Sequence, residues 1–394
     1  MAALTCIPDI LAEHAEELPF DLSQRAMMRR SPRHRWTDLQ RLDRRIAARI
    51  DGLRIGGRIG GRIGGDASLV LAEPLLQARD RHDLAAGMLI ALASDSRQGL
   101  AAIDQAARAG DIGSEAAADA LSLWPGEPPD LVAAWLTDAD PLVRLAALEV
   151  RDRRGSNCEP DAQLLSLEAP GSRWRALRLA SPERAVAALD DEDPSIREAA
   201  LVACLRGRWG GLLDHCRASC DGSQAAVTPE LAILALLAQP SDDAVLSACL
   251  SDAALGSQRF GLAATWARPQ VGALLLEGIG GGDPEQAIAA AEAFSRLMTV
   301  DIESDVVLAD SVPANDAFES AFASDRFLPD GARARSCWKS NEAALSRCGR
   351  IICGEGDPGV PAPHWDLMSR AEARLRAAWN GDADPRDEDA RLSV

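Results

Sequence analysis

The chain has 394 residues, more than one ordinary globular domain, and 47% of them are hydrophobic, enough for a large core. Aromatic residues make up only 4% and tyrosine is absent, which suits alanine- and leucine-rich helices and not sheets. A net charge of −18, with Lys339 the only lysine, excludes the basic surface that nucleic-acid phosphates require.

The first twenty residues lack a basic leader and carry acids early, and no apolar run approaches transmembrane length. The expectation is a cytoplasmic protein with no membrane segment. A short acidic helix opens residues 1–35, which end in Arg25, Arg29, Arg30, Arg33 and Arg35. Thr37 with Gln40 reads as a capping box, and the helix it opens carries the apolar stripe Leu39, Leu42, Ile46, Ile50 and Leu53. Gly52 reads as its stop signal. Arg41, Arg44 and Arg45 lie opposite the stripe.

Between Arg25 and Arg62 twelve arginines face three acids, a basic island in an acidic chain. One reading is a solvated helix face with internal salt bridges. The functional one makes Arg41, Arg44 and Arg45 the partner-binding residues of a surface for an acidic protein. Arg54-Ile-Gly-Gly then recurs at Arg58 and Arg62. No strand precedes it and no G-x-G-x-x-G is present, so it reads as an exposed linker closing an N-terminal segment, residues 1–66.

Residues 67–300 read as short helical hairpins, beginning with helices at 69–79, 83–93, 98–109 and 114–123. One phrase occurs twice: Asp138-x-Asp140-Pro141-x-Val143-Arg144-x-Ala146-Ala147-Leu148, and Asp191-x-Asp193-Pro194-x-Ile196-Arg197-x-Ala199-Ala200-Leu201. Asp140 and Asp193 stand where an N-cap is wanted, and Pro141 and Pro194 take the first helical position. The paired alanines let a neighbouring helix come close. A degenerate copy lies between them at 172–177 and a later one at 259–264, and Asp283-Pro284 repeats the cap logic. Recurrence of such a unit announces a solenoid.

After Asp301 the register weakens, and Phe318, Phe322, Phe327 and Trp338 suggest a compact C-terminal capping module, residues 301–380. Residues 381–394 form an acidic tail expected to be disordered. Nine scattered cysteines read as reduced thiols, not a disulfide framework. His215, Cys216 and Cys220 lack the usual C-x₂-C spacing and a second ligand pair, and Cys337, Cys348 and Cys353 do no better, so no metal is expected. Lys339 follows Trp338 and not glycine, and H-E-x-x-H and G-x-S-x-G are missing. The expectation is no catalytic residue and no cofactor.

Residues 36–53 spell Asp38-Leu39-x-Arg41-Leu42-Asp43-x-Arg45-Ile46, then Ile50-Asp51-Gly52-Leu53. They resemble the N-terminal signature of a bacterial family that carries PBS-lyase-type HEAT repeats and is commonly encoded beside type VI secretion genes. Phe327, Asp330, Trp338 and Arg347-Cys348-Gly349-Arg350 resemble its later blocks. In HEAT repeats a turn aspartate and a second-helix arginine link neighbours, which would give Asp140/Arg144 and Asp193/Arg197 that role. The glycine-rich expansion and the loss of regularity after Asp301 depart from the family pattern.

The resemblance implies an all-α, HEAT-like α-solenoid acting as a non-catalytic scaffold, adaptor, chaperone or immunity-type factor for a secretion effector or spike component. Two alternatives are a PBS-lyase-like enzyme acting on a protein-bound chromophore and a structural subunit of a cytosolic assembly.

Overall fold

A computed structural model describes residues 8–61, 67–127, 129–156, 158–220, 226–308, 327–359, 361–362 and 364–382. The described chain is mostly helical and falls into two compact units that divide between Trp209 and Gly210.

The first unit opens with α1 (Pro8–Arg29) packed on α2 (Trp36–Gly61). Leu11, Ala15, Leu18 and Leu22 of α1 are buried, as is the whole stripe Leu39, Leu42, Ile46, Ile50 and Leu53 of α2. At the head of α2 it is Asp38, not Gln40, that reaches back, accepting from the Arg35 amide at 3.0 Å. Gly52 does not stop this helix, and the first two glycine-rich tetrapeptides continue it instead of forming a linker. The reason is tertiary. A Cβ at Gly52 would lie 2.7 Å from the His14 ring, and one at Gly56 would fall inside the Leu11 side chain. Glycine is needed because α1 passes too close for anything larger. The third tetrapeptide lies outside the described residues.

Helical hairpins follow: α3 (Ala67–Leu76) with α4 (Arg81–Ala93), α5 (Arg97–Ala107) with α6 (Asp111–Leu123), and α7 (Asp130–Trp135) with α8 (Pro141–Arg153). Then come α9 (Ala162–Leu165) with α10 (Pro170–Arg178), and α11 (Pro182–Ala185), prolonged by a 3₁₀ turn, with α12 (Pro194–Arg206). The second helices adjoin, α4 on α6 on α8 and α10 on α12. Ala86, Ala116, Ala117, Ala146, Ala147, Ala199 and Ala200 are fully buried there, the small residues that let backbones approach.

The second unit repeats the plan with α13 (Leu212–Ser219) and α14 (Pro229–Leu237), α15 (Asp243–Ser251) and α16 (Gln258–Trp266), and α17 (Val271–Ile279) and α18 (Pro284–Met298). Again the second helices adjoin, α14 on α16 on α18. The described residues after Asp301 fall in the same compact unit as these hairpins. Strand β1 (Glu303–Val307) pairs antiparallel with β2 (Phe327–Pro329), with Glu303 opposite Pro329. Helix α19 (Gly331–Leu345) packs on α17, where Gly272 leaves room for the Trp338 ring. Strands β3 (Ile351–Ile352) and β4 (Glu355–Gly356) form a hairpin whose turn holds Cys353 and Gly354 at φ 51° and 79°. Helix α20 (Leu367–Asn380) closes the unit.

Arginines fasten this last part to the hairpins. Arg350 donates to the carbonyls of Thr265 at 2.6 Å and Leu236 at 3.0 Å, the orphan acceptors at the C-terminal ends of α16 and α14. Arg268 bridges the Gly349 and Ala238 carbonyls, and Arg296 pairs with Glu372 of α20. Phe318, Phe322 and residues 383–394 lie outside the described residues.

Candidate functional site

The duplicated phrase builds one geometry twice. Asp140 caps α8, accepting from the Leu142 amide at 2.9 Å, and Asp193 caps α12, accepting from the Ser195 amide at 2.8 Å. Pro141 and Pro194 begin the two helices. The Asp140 amide donates to Asp138 Oδ1 at 2.9 Å and the Asp193 amide to Asp191 Oδ1 at 3.0 Å. Arg144 Nη1 then turns back to the Asp138 carbonyl at 2.6 Å, and Arg197 Nη1 to the Asp191 carbonyl at 2.9 Å.

The links between hairpins use a different acid from the one the repeat pattern implies. Asp140 and Asp193 are engaged by helix amides, so the first aspartate of each phrase takes the neighbour's arginine. Arg108, just after α5, holds Asp138 through bonds of 3.0 and 2.7 Å, and Arg173 of α10 holds Asp191 at 2.8 Å. Arg144 reaches onward to Gln163 Oε1 at 2.7 Å, on α9. The Arg108 guanidinium and the Asp140 amide hold the Asp138 carboxyl down at about 2.

The arginines of the first two helices separate into two kinds. Arg25 is buried against Asp43 at 2.7 Å. Arg45 reaches Asp21 at 2.6 Å and Gln24 at 2.7 Å, while Arg49 reaches Asp21 at 2.7 Å and also Glu17. These three staple α1 to α2. Arg41 and Arg44 are exposed on one outward face with Thr37, Ala48, Asp51 and Ile55, at helical spacing. Neither side chain has a hydrogen bond or ion pair among the described residues. Of the three arginines that the sequence singles out, the fold therefore employs Arg45 and leaves Arg41 and Arg44 unpaired. On α1, Phe20 (65%) and Met27 (64%) are exposed, seven residues apart and so on one face. Gln24 lies between the two in sequence and accepts from Arg45 of α2 at 2.7 Å.

A second set of charges is invisible to motif reading. Arg81 of α4 pairs with Asp119 and Glu115 of α6, and Arg153 of α8 takes the same Asp119 at 2.7 Å. Glu149 of α8 holds Arg175 of α10, and Asp152 holds Arg206 of α12 at 3.2 Å. Burial pushes the Asp119 carboxyl up, yet the charges of Arg153 and Arg81 outweigh it and keep the group ionised. The only signal in the sequence is charge at positions that the helical period assigns to an interior, such as Glu149 within Leu145-Ala146-Ala147-Leu148-Glu149-Val150.

Cys216 on α13 and Cys220 just after it are buried, and burial pushes the Cys220 thiol up to about 12. Among the described residues no group of three or more His, Cys, Asp or Glu side chains could hold a metal ion. A small polar cleft between α16, α18 and α20 is closed by its own bonds, with Glu372 accepting from Thr265 at 2.9 Å and pairing with Arg296. No described helix is long and apolar enough to cross a membrane. Comparison with protein-family models, with curated proteins and with solved structures finds no match for this chain.

Proposed function

We propose that the chain is a non-catalytic protein-binding scaffold, each unit a stack of HEAT-type hairpins, with the outward face of α2 docking an acidic partner. The observation that carries this reading is the contrast among the arginines. Arg25, Arg45 and Arg49 are each matched by an acid, whereas Arg41 and Arg44 stand exposed with none among the described residues, in a chain of net charge −18. Unpaired cations on a rigid helix steer and orient an acidic surface more than they stabilise the fold. Phe20 and Met27 supply the apolar contact that long-range attraction alone lacks.

The hairpin pairing, the series of adjoining second helices and the twice-built turn support the HEAT-type assignment. The likeness of residues 36–53 to the secretion-associated signature supports a type VI setting. There the protein would serve as adaptor, chaperone or immunity-type factor for an effector or spike component.

Affinity capture from the native host, read by mass spectrometry, tests the reading when run in parallel with Arg41→Glu/Arg44→Glu. An acidic partner recovered with the natural chain and lost with the variant supports it. Identical recoveries from the two proteins, with equal helical content, reject the α2 face as the docking surface. Arg45 is left intact because removing it would also loosen α1.

A further inference from the structure

The geometry points to a second binding site in the first unit: Arg178, braced on Trp174 where α10 meets α8 and α12, receives one carboxylate of an acidic peptide. The Arg178 guanidinium stands 4.8 Å from the centroid of the Trp174 ring, a stacked arrangement that orients the planar fork and leaves its edges free. No side-chain N–H of Arg178 bonds to a described residue, and no acid among the described residues pairs with it.

The neighbouring arginines differ in this respect, since each already has its acid. Arg153 holds Asp119 at 2.7 Å, Arg175 holds Glu149, and Arg206 holds Asp152 at 3.2 Å while donating to the Arg178 carbonyl at 2.9 Å. Arg178 is the unmatched cation of this network.

Its surroundings leave it without a balancing charge. Arg178 reaches solvent, yet the surrounding protein desolvates it and Arg206 and Arg153 repel it, so its pKa is driven down. Glu198 and Glu149 act on it only from beyond ion-pair distance. A carboxylate arriving at the exposed edge of Arg178 finds an oriented two-pronged donor and relieves the repulsion. One unmatched guanidinium balances one negative charge, which selects a carboxylate over a phosphate dianion. The site is separate from the arginine face of α2 and does not depend on it.

The test uses the full chain carrying Arg41→Ala/Arg44→Ala, so that the α2 face is silent, and N-acetyl-tetraglutamate amide as probe, titrated calorimetrically at fixed low ionic strength. The parent variant should bind the peptide, and adding Arg178→Met should weaken binding about tenfold to a hundredfold, the worth of a hydrogen bond to a charged group. Helical content should be unchanged by Arg178→Met, whose side chain keeps an apolar contact with Trp174. Absence of binding by the parent, or an unchanged affinity with Arg178→Met, would overturn the proposal. So would inorganic phosphate that displaces the peptide at a lower concentration than acetate.

Discussion

The Glu149–Arg175 pair shows how much of the first unit rests on charge. The two side chains are 9% and 5% exposed and meet through two bonds of 3.1 Å and a shorter one. Arg175 also reaches Ser114 Oγ at 3.2 Å. Burial pushes the Glu149 carboxyl up, but the Arg175 charge and its hydrogen bonds outweigh burial and leave the group below its ordinary value of 4.5. Its contribution is therefore fully present above pH 4.5 and is lost as the pH falls through the lower folded value. At pH 7, Glu149→Ala leaves Arg175 buried and repelled by Arg153, and Arg175→Met leaves Glu149 buried and repelled by Asp119. Each single change is expected to cost about 3–5 kcal/mol, the penalty of an uncompensated buried charge.

Glu149→Leu together with Arg175→Met removes both charges at similar volume and should recover most of that loss, since buried pairs exchange for apolar groups at little cost. Native-state hydrogen exchange on peptides covering residues 141–153 and 170–178 reads this locally. The single variants should exchange roughly two to three and a half orders of magnitude faster, and the double variant much less so. Single variants within about tenfold of the natural protein, or a double variant as labile as the worse single, would refute the reasoning.

Asp138, held at about 2 against 3.8 when unfolded, contributes stability above pH 3.8 that disappears as the pH falls through 2. Asp138→Asn should cost about 1 kcal/mol at pH 7, the scale of a solvent-facing pair, and clearly less at pH 2, where the carboxyl is half protonated, in urea unfolding; an equal cost at both would contradict the assignment to Arg108. Gly56→Ala should destabilise by about 1–3 kcal/mol through overpacking against Leu11, although alanine is the better helix former by about 1 kcal/mol. A raised urea midpoint would mean that α1 does not cross there. Burial pushes the Cys204 and Cys220 thiols up to about 12, so iodoacetamide at pH 8 should spare both in the native protein and modify both in urea. Rapid native labelling of either would show that its helix opens readily.

Local physics was readable from the chain alone. Asp140-Pro141, Asp193-Pro194 and Asp283-Pro284 start helices because a carboxylate meets the free amides and proline loses nothing at the first position, interactions complete within a few residues. The stripe from Leu39 to Leu53 faces the interior because a helix repeats every 3.6 residues. The exposure of Arg41 and Arg44 follows from the same period. Only the tertiary structure decided the rest, because the deciding partners lie far apart in sequence. Helix α2 runs on through Gly52 and Gly56 because α1 crosses there, against local propensity. Arg45 is occupied because Asp21 reaches it across the helix pair, 24 residues away. Arg350 holds the C-terminal part because the carbonyl ends of α14 and α16 converge on it from more than 80 residues earlier. Arg178 is unmatched only because folding gave each arginine around it an acid, a balance no window of the sequence contains.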